Sequence, residues 1–273
     1  MDWSAFITAI SGLVVMFIGI SVYFSKLIKN KVPETPVGLF LALFVGVVSG
    51  VVSLYLAIPN SFLAVLPVAI PASLSLFLAL FFLFVFSHKK TPIGNIQVKI
   101  GDKLLPFNTT TAQGTEFSEQ DLLGKRTLLK FYRGSWCPYC SRELTMFEEM
   151  KAEFNKYNVQ VVALSGDNTE QASNHIKRDS LSHTLLADPS LNVIKTYGVE
   201  HQKSLGADSD NIMTVFGLPF PKPYQFKFKS MSIPTSILID EKGIIKWIDQ
   251  SEDYRLRANY QRVMQALANS FPA

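Results

Sequence analysis

The chain has 273 residues, 48% hydrophobic and 18% charged, with a formal net charge of +4. Residues 1–93 hold five lysines against Asp2 and Glu34, which leaves residues 94–273 close to neutral and without the basic surface that nucleic acid requires. Two cysteines are too few for a disulfide framework, so the fold must rest on an apolar core.

Three apolar segments come first, at residues 3–24, 37–58 and 61–86, and no Asp, Glu, Lys or Arg lies between Glu34 and Lys89. Each is long enough to cross about 30 Å of hydrocarbon as a helix. None shows the polar stripe of a helix in a water-soluble bundle. Met1-Asp2-Trp3 lacks a basic leader, so the first segment reads as a span and not as a cleaved signal. In the second span Ala42, Gly46 and Gly50 recur at every fourth position and suit close packing within the chain; Pro67 and Pro71 predict a kink in the third. The spans hold no charge, Cys or His, and so read as an anchor, with lipid as the partner. Lys26, Lys29 and Lys31 after the first span and Lys89 and Lys90 after the third fall on one side, whereas the Pro59-Asn60 turn has no basic residue. The positive-inside rule puts that side in the cytoplasm, in a multi-pass protein of the bacterial inner membrane; the reverse orientation would put the second domain in the periplasm.

Thr91-Pro-Ile-Gly94 reads as a linker between a membrane domain (1–90) and a second domain (94–273). Leu128–Tyr132 is a short apolar run that predicts a buried strand. Leu144, Phe147, Met150 and Phe154 then recur at helical spacing. A second strand at Val159–Leu164 leads to Asp167 and Glu170, which predict a capping box for a helix through His175 and Arg178. A further strand–helix unit spans Leu185 to Tyr197; Thr235–Asp240 and Ile244–Ile248 form a hairpin, and Tyr260, Val263, Met264, Leu267 and Phe271 share a helix face. The order predicts an α/β sandwich around a mixed sheet.

Both cysteines lie in FYRGSWCPYC, Phe131–Cys140, between the first strand and its helix. Pro138 suits the first helical position. Cys137 then sits at the helix start, where free amides stabilise a thiolate, with Cys140 one turn along on the same face. The pattern predicts Cys137 as an accessible nucleophile and Cys140 as the shielded resolving thiol. A zinc site would need more ligands, and His88, His175, His183 and His201 show no ligand spacing, so neither metal nor cofactor is expected.

From Gly94 to Phe271 the chain resembles the peroxiredoxin-like (AhpC/TSA) branch of the thioredoxin superfamily. The resemblance rests on FYRGSWCPYC, VVALSGD (Val161–Asp167), LLADPSLNVIKTYGV (Leu185–Val199) and SIPTSILIDEKGIIKW (Ser232–Trp247). It implies a thioredoxin-like sandwich with Ile233-Pro234 opposite the cysteines through a cis peptide, where the Ile233 backbone would pair with an extended substrate. Trp136, Pro138, Tyr139 and Arg133 are the supporting residues around the thiols, Arg133 as a positive charge near Cys137. Two departures stand out: the family's Thr or Ser three residues before the first Cys is Gly134, and its Pro seven before is Lys130.

These features favour a thiol–disulfide oxidoreductase acting on protein disulfides. The alternatives are a peroxidase, with Cys137 peroxidatic, and a non-enzymatic membrane redox sensor. Either enzyme would draw on a thiol reductant of the thioredoxin or glutathione type. The long interval from Val199 to Lys229 reads as an insertion over a sheet edge, with FGLPFPKPYQFKFKS (Phe216–Ser230) suited as well to a lipid surface.

Overall fold

A computed structural model describes residues 2–58 and 62–271. The chain divides into two compact units, 1–89 and 90–273. The first holds three helices, α1 (Trp3–Ile28), α2 (Val37–Ala57) and α3 (Phe62–Ser87). All three are long and apolar enough to cross a membrane. Asp2 starts α1 by accepting from the amides of Ser4 and Ala5 at 2.9 and 3.2 Å. The helix runs on past Phe24 to Ile28, so Lys26 lies in its last turn. Pro67 and Pro71 sit inside α3 without interrupting it. The Pro59-Asn60 turn and Ser61 lie outside the described residues.

The small residues of α2 pack within the chain. A Cβ added at Gly46 would lie 2.3 Å from Met16 Cε, and one at Gly50 would lie 3.3 Å from Ala72 Cα. On the facing helix a Cβ at Gly19 would lie 2.3 Å from Ala42 Cβ. The backbones approach because nothing stands between them, which is how helices associate where water supplies no drive. Gly19→Val should therefore overpack the α1–α2 contact and cost about 1–3 kcal/mol; detergent-solubilised protein should melt earlier, and an unchanged midpoint would show that the helices have slack.

The second unit contains β1 (Asn108–Thr111), β2 (Glu116–Ser118), β3 (Arg126–Phe131), α4 (Pro138–Glu149), α5 (Lys151–Lys156), β4 (Val159–Ser165), α6 (Thr169–Asp179), β5 (Thr184–Ala187) and α7 (Asn192–Thr196). It continues with β6 (Glu200–Ala207), β7 (Met213–Val215), β8 (Leu218–Phe220), β9 (Phe226–Ser232), β10 (Thr235–Ile239), β11 (Ile245–Gln250) and α8 (Tyr260–Ser270). Seven strands form one mixed sheet in the order β11-β10-β3-β4-β5-β1-β2, in which β3, β4 and β5 are parallel and the other pairs antiparallel. This is the sandwich that the alternating pattern predicts.

β3 is an interior strand of the sheet, between β10 and β4, and its residues beyond Arg126 are all buried. Side chains alternate across a strand, so Leu129 and Phe131 enter one core, with Val162, Leu186, Ile194 and Ile237. Leu128 and Tyr132 enter the other, which holds both cysteines, Leu144, Phe147, Val161, Leu185, Val263 and Leu267. Lys130 has the same parity as Leu128 and Tyr132, which puts a cation on the cysteine side.

Two sequence expectations change. The helix cap is Asn168, which accepts from Gln171 N at 2.9 Å while Gln171 Oε1 accepts from Asn168 N at 3.2 Å. Asp167 is taken elsewhere: its carboxylate accepts the amide of Ser135 at 2.7 Å. The interval after Val199 is a separate antiparallel ribbon, β6–β9, followed along the chain by a β7–β8 hairpin inside it. Phe216 and Gly217 turn that hairpin with φ of +52° and +76°, the conformation a two-residue turn between twisted strands needs. The ribbon pairs with neither edge of the sheet. Its Ala207 and Met231 enter the cysteine core instead, so it covers the thiols.

Candidate functional site: a covered dithiol beside a buried charge chain

β3 delivers the chain to Gly134, and α4 begins at Pro138 with Cys137 as its N-cap in extended conformation (φ −88°, ψ 115°). Pro138 takes the first helical position, where its missing N–H costs nothing. Cys140 follows within the first turn. Both are free and buried, at 1% and 0% exposure. Cys137 is thus not the open nucleophile expected, because the ribbon lies over it.

The surrounding residues explain the cover. Arg133 is buried, and its guanidinium donates to Leu205 O (2.5 Å) and Ser204 Oγ (3.1 Å) of β6 and reaches Met231 Sδ (3.2 Å) of β9. The same group stacks on Tyr254 at 3.8 Å and Trp136 at 5.0 Å. Trp136 is buried among the thiols, and Lys229 of the ribbon reaches over its ring at 5.7 Å. Tyr139 packs edge-on to Tyr254 at 5.8 Å. Arg133 therefore ties the strand end to the ribbon through its donors while its plane rests on two aromatic rings.

Ile233 and Pro234 depart from the expectation. Among the described residues no peptide bond is cis. The Ile233 amide donates to Val199 O at 2.7 Å, and its carbonyl accepts from Ser232 Oγ and Thr235 Oγ1. Its side chain lies in the core on the opposite face from the cysteines. Internal partners thus occupy the backbone that was to receive a substrate strand.

Gly134 has a physical reason to be glycine. Its φ is +144°, a region that L side chains rarely adopt, and a Cβ there would lie 2.7 Å from Trp136 Nε1 and 3.1 Å from Asp167 Oδ1. The side chain that the family pattern puts at this position has no room. Gly134→Thr should cost about 1–3 kcal/mol through strain and displacement of Trp136, read as a lower melting temperature; an unchanged one would show that the turn accepts a hydroxyl.

Beneath Cys140 runs a chain of charges that the motif alone did not reveal. Lys130 Nζ donates to Glu143 Oε1 at 2.7 Å and to Ser236 Oγ at 3.0 Å. Arg257 donates to Glu143 Oε2 at 2.5 Å through Nη1 and approaches Cys140 Sγ at 3.4 Å through Nη2. Burial raises the Cys137 thiol, as does the proton it shares with Cys140. Burial raises Cys140 too, but the Cys137 hydrogen bond and the Arg257 guanidinium outweigh it and bring Cys140 down to about 5. The Arg257 guanidinium thus favours the charged form of Cys140, a contact that the motif by itself does not indicate. A second polar group lies beyond Ser141, where Arg178 bonds Ser141 Oγ (2.6 Å), Ser135 O (2.8 Å) and Asp179. Asp179 also meets His175 at 3.0 Å, and these two partners overcome burial to hold its carboxyl far below the usual range. A signal for the charge chain was present in the sequence: Lys130 interrupts an apolar strand, and Glu143 lies one turn after Cys140.

The AhpC/TSA family model matches residues 100–248, more than half of the chain. A thiol-disulfide oxidoreductase, ResA, of Bacillus thuringiensis is 31% identical over 104 residues, 38% of this chain and 60% of that protein. A Helicobacter pylori protein named as a peroxiredoxin, bcp, is 33% identical over 105 residues, 37% of this chain and 69% of its own. A protein of Coxiella burnetii with the same name is 29% identical over 150 residues, 55% of this chain and 87% of its own. The chain thus spans about 60% of the length of the ResA relative. A mixed sheet with its cysteines at a strand–helix junction and a family match across that sheet lead to one conclusion: the chain belongs to the AhpC/TSA family.

Proposed function

We propose that the protein is a membrane-anchored thiol–disulfide oxidoreductase whose working pair is Cys137 and Cys140. The observation that carries this reading is the turn at Gly134: the hydroxyl position of the family pattern is filled by Trp136 and Asp167. Arg133, the positive charge expected near Cys137, turns its Nε and Nη2 to the ribbon. The pair itself has what exchange needs, two thiols within one helical turn and a guanidinium against the second.

Cys137 stands at the helix end, where a lifted ribbon exposes it first. Its proton passes to Cys140, and the Cys137 thiolate attacks one sulphur of a substrate disulfide. The departing thiolate takes the proton from Cys140. Cys140 then attacks Cys137 Sγ, the mixed disulfide breaks, and the second substrate thiolate leaves and is protonated by water. Two electrons have moved from the dithiol to the substrate, and an external thiol reductant restores the pair. Trp136, Tyr139 and Arg133 frame the entry, while Pro138 fixes the start of α4; the buried Ile233 and Pro234 support the strand end.

The reading predicts that the protein reduces protein disulfides faster than it consumes hydrogen peroxide, and that Cys140→Ser accumulates covalent adducts whereas Cys137→Ser does not. Diagonal gels of the two variants, beside stopped-flow peroxide oxidation, decide it. Peroxide consumption at peroxidase rates would turn the assignment to a peroxidase, and adducts on Cys137→Ser alone would reverse the two roles.

The helices of residues 1–89 serve as a three-span membrane domain, with 90–273 as the redox domain on the cytoplasmic side, because Lys26, Lys29, Lys31, Lys89 and Lys90 share that side. A reporter joined after Ala273 should be active in the cytoplasm; an active exported phosphatase at that position would invert the topology.

A further inference from the structure

Arg257 lies outside the cysteine motif, in the segment just before α8, yet its side chain is only 9% exposed and reaches the second sulphur. Each arm of its guanidinium has a separate acceptor: Nε donates to Tyr254 O at 2.6 Å, Nη1 to Glu143 and Nη2 to Cys140. Such a planar fork is fixed in place, and an ammonium cannot reproduce it. Glu143 is spent in turn, one oxygen on Lys130 and the other on Arg257.

The charges that face this point come from several elements. Lys130 and Arg257 are two buried cations sharing the single carboxylate of Glu143. Asp249 of β11 faces Lys130, but Arg262 already pairs with it. Tyr132, pushed well above its usual range by burial, stays neutral. Arg178, His175 and Asp179 of α6 close among themselves and on Ser141. The sulphur that Arg257 touches is a group that can set a further negative charge beside these cations. A buried cation left without a partner is costly.

We propose that Arg257 is a catalytic residue of the exchange reaction: held by Glu143, its guanidinium fixes the negative charge on Cys140 and so supplies the thiolate that resolves the mixed disulfide. The proposal rests on the exchange reading above. In the resolving step the Cys140 thiolate forms its bond to Cys137 Sγ while the bond from Cys137 to the substrate sulphur breaks; the electron pair leaves with the substrate thiolate, which water protonates. With Arg257 beside it, Cys140 needs no separate base once its proton has gone to the first leaving thiolate.

The test uses the full chain in detergent and reads the thiolate by its ultraviolet absorbance against pH. In the Cys137→Ser background only Cys140 titrates, so this measurement needs no turnover. Adding Arg257→Gln should raise the Cys140 midpoint by roughly one to three units, the range for loss of an adjacent opposite charge. Arg257→Lys, which keeps the charge and loses the fork, should fall between and guards against a glutamine variant that does not fold. With both cysteines present, Arg257→Gln should slow decay of the mixed disulfide formed with a small aromatic disulfide by about tenfold or more at neutral pH. Unshifted titration in a folded variant, or decay at the wild-type rate, would overturn the role of Arg257 alone. A wild-type chain that forms no mixed disulfide would overturn the exchange reading, and Arg257's catalytic role with it.

Discussion

A lysine in the middle of a buried strand has to meet a counter-charge, and the cysteine side of the fold is arranged around how Lys130 does so. Its carboxylate partner must come from the helix that covers β3, which fixes Glu143 on the inner face of α4. Glu143 has a second oxygen to satisfy, and Arg257 does this from the segment before α8. The chain of charges thereby ties a strand, the cysteine helix and the carboxyl-terminal segment together at one point. Breaking one partner of such a buried pair typically costs about 3–5 kcal/mol. The same constraint places a guanidinium against Cys140, so one device serves packing and the charge of the thiols.

The second constraint acts from the outer side. The β6–β9 ribbon is held to the thiol end by Arg133, whose donors reach two residues of β6 and whose plane stacks on Trp136 and Tyr254. Each of these contacts is local to the cover, and none belongs to the ladder of the main sheet. Two different arginines thus meet this end of the fold: Arg133 bonds the ribbon, while Arg257 reaches the second sulphur.

The three apolar helices of the first unit follow another rule. Their association uses absent side chains: Gly19 against Ala42, and Gly46 against Met16. No charged side chain lies among them between Glu34 and Lys89, so they offer packing and no chemistry. The titratable groups at the thiols all come from the second unit, and the family match lies there as well.

The sequence by itself determined the elements and the motif. Uninterrupted hydropathy marks the three long helices, alternation of short apolar runs with helical stripes marks the mixed sheet, and Cys137-Pro138-Tyr139-Cys140 between a strand and a helix marks the thiols. These are local properties, carried by neighbours within a few residues. Tertiary structure alone brought a guanidinium to the second sulphur, since Arg257 lies far along the chain from Cys140 and meets it only after α4 and α8 have packed on the sheet. It also decided that the Val199–Lys229 interval folds over the thiols, that the Ile233 amide is taken by Val199, and that Asp167 serves Ser135 instead of a helix cap. A thiolate's charge depends on what lies within a few ångströms in space, and no spacing along the chain records that distance.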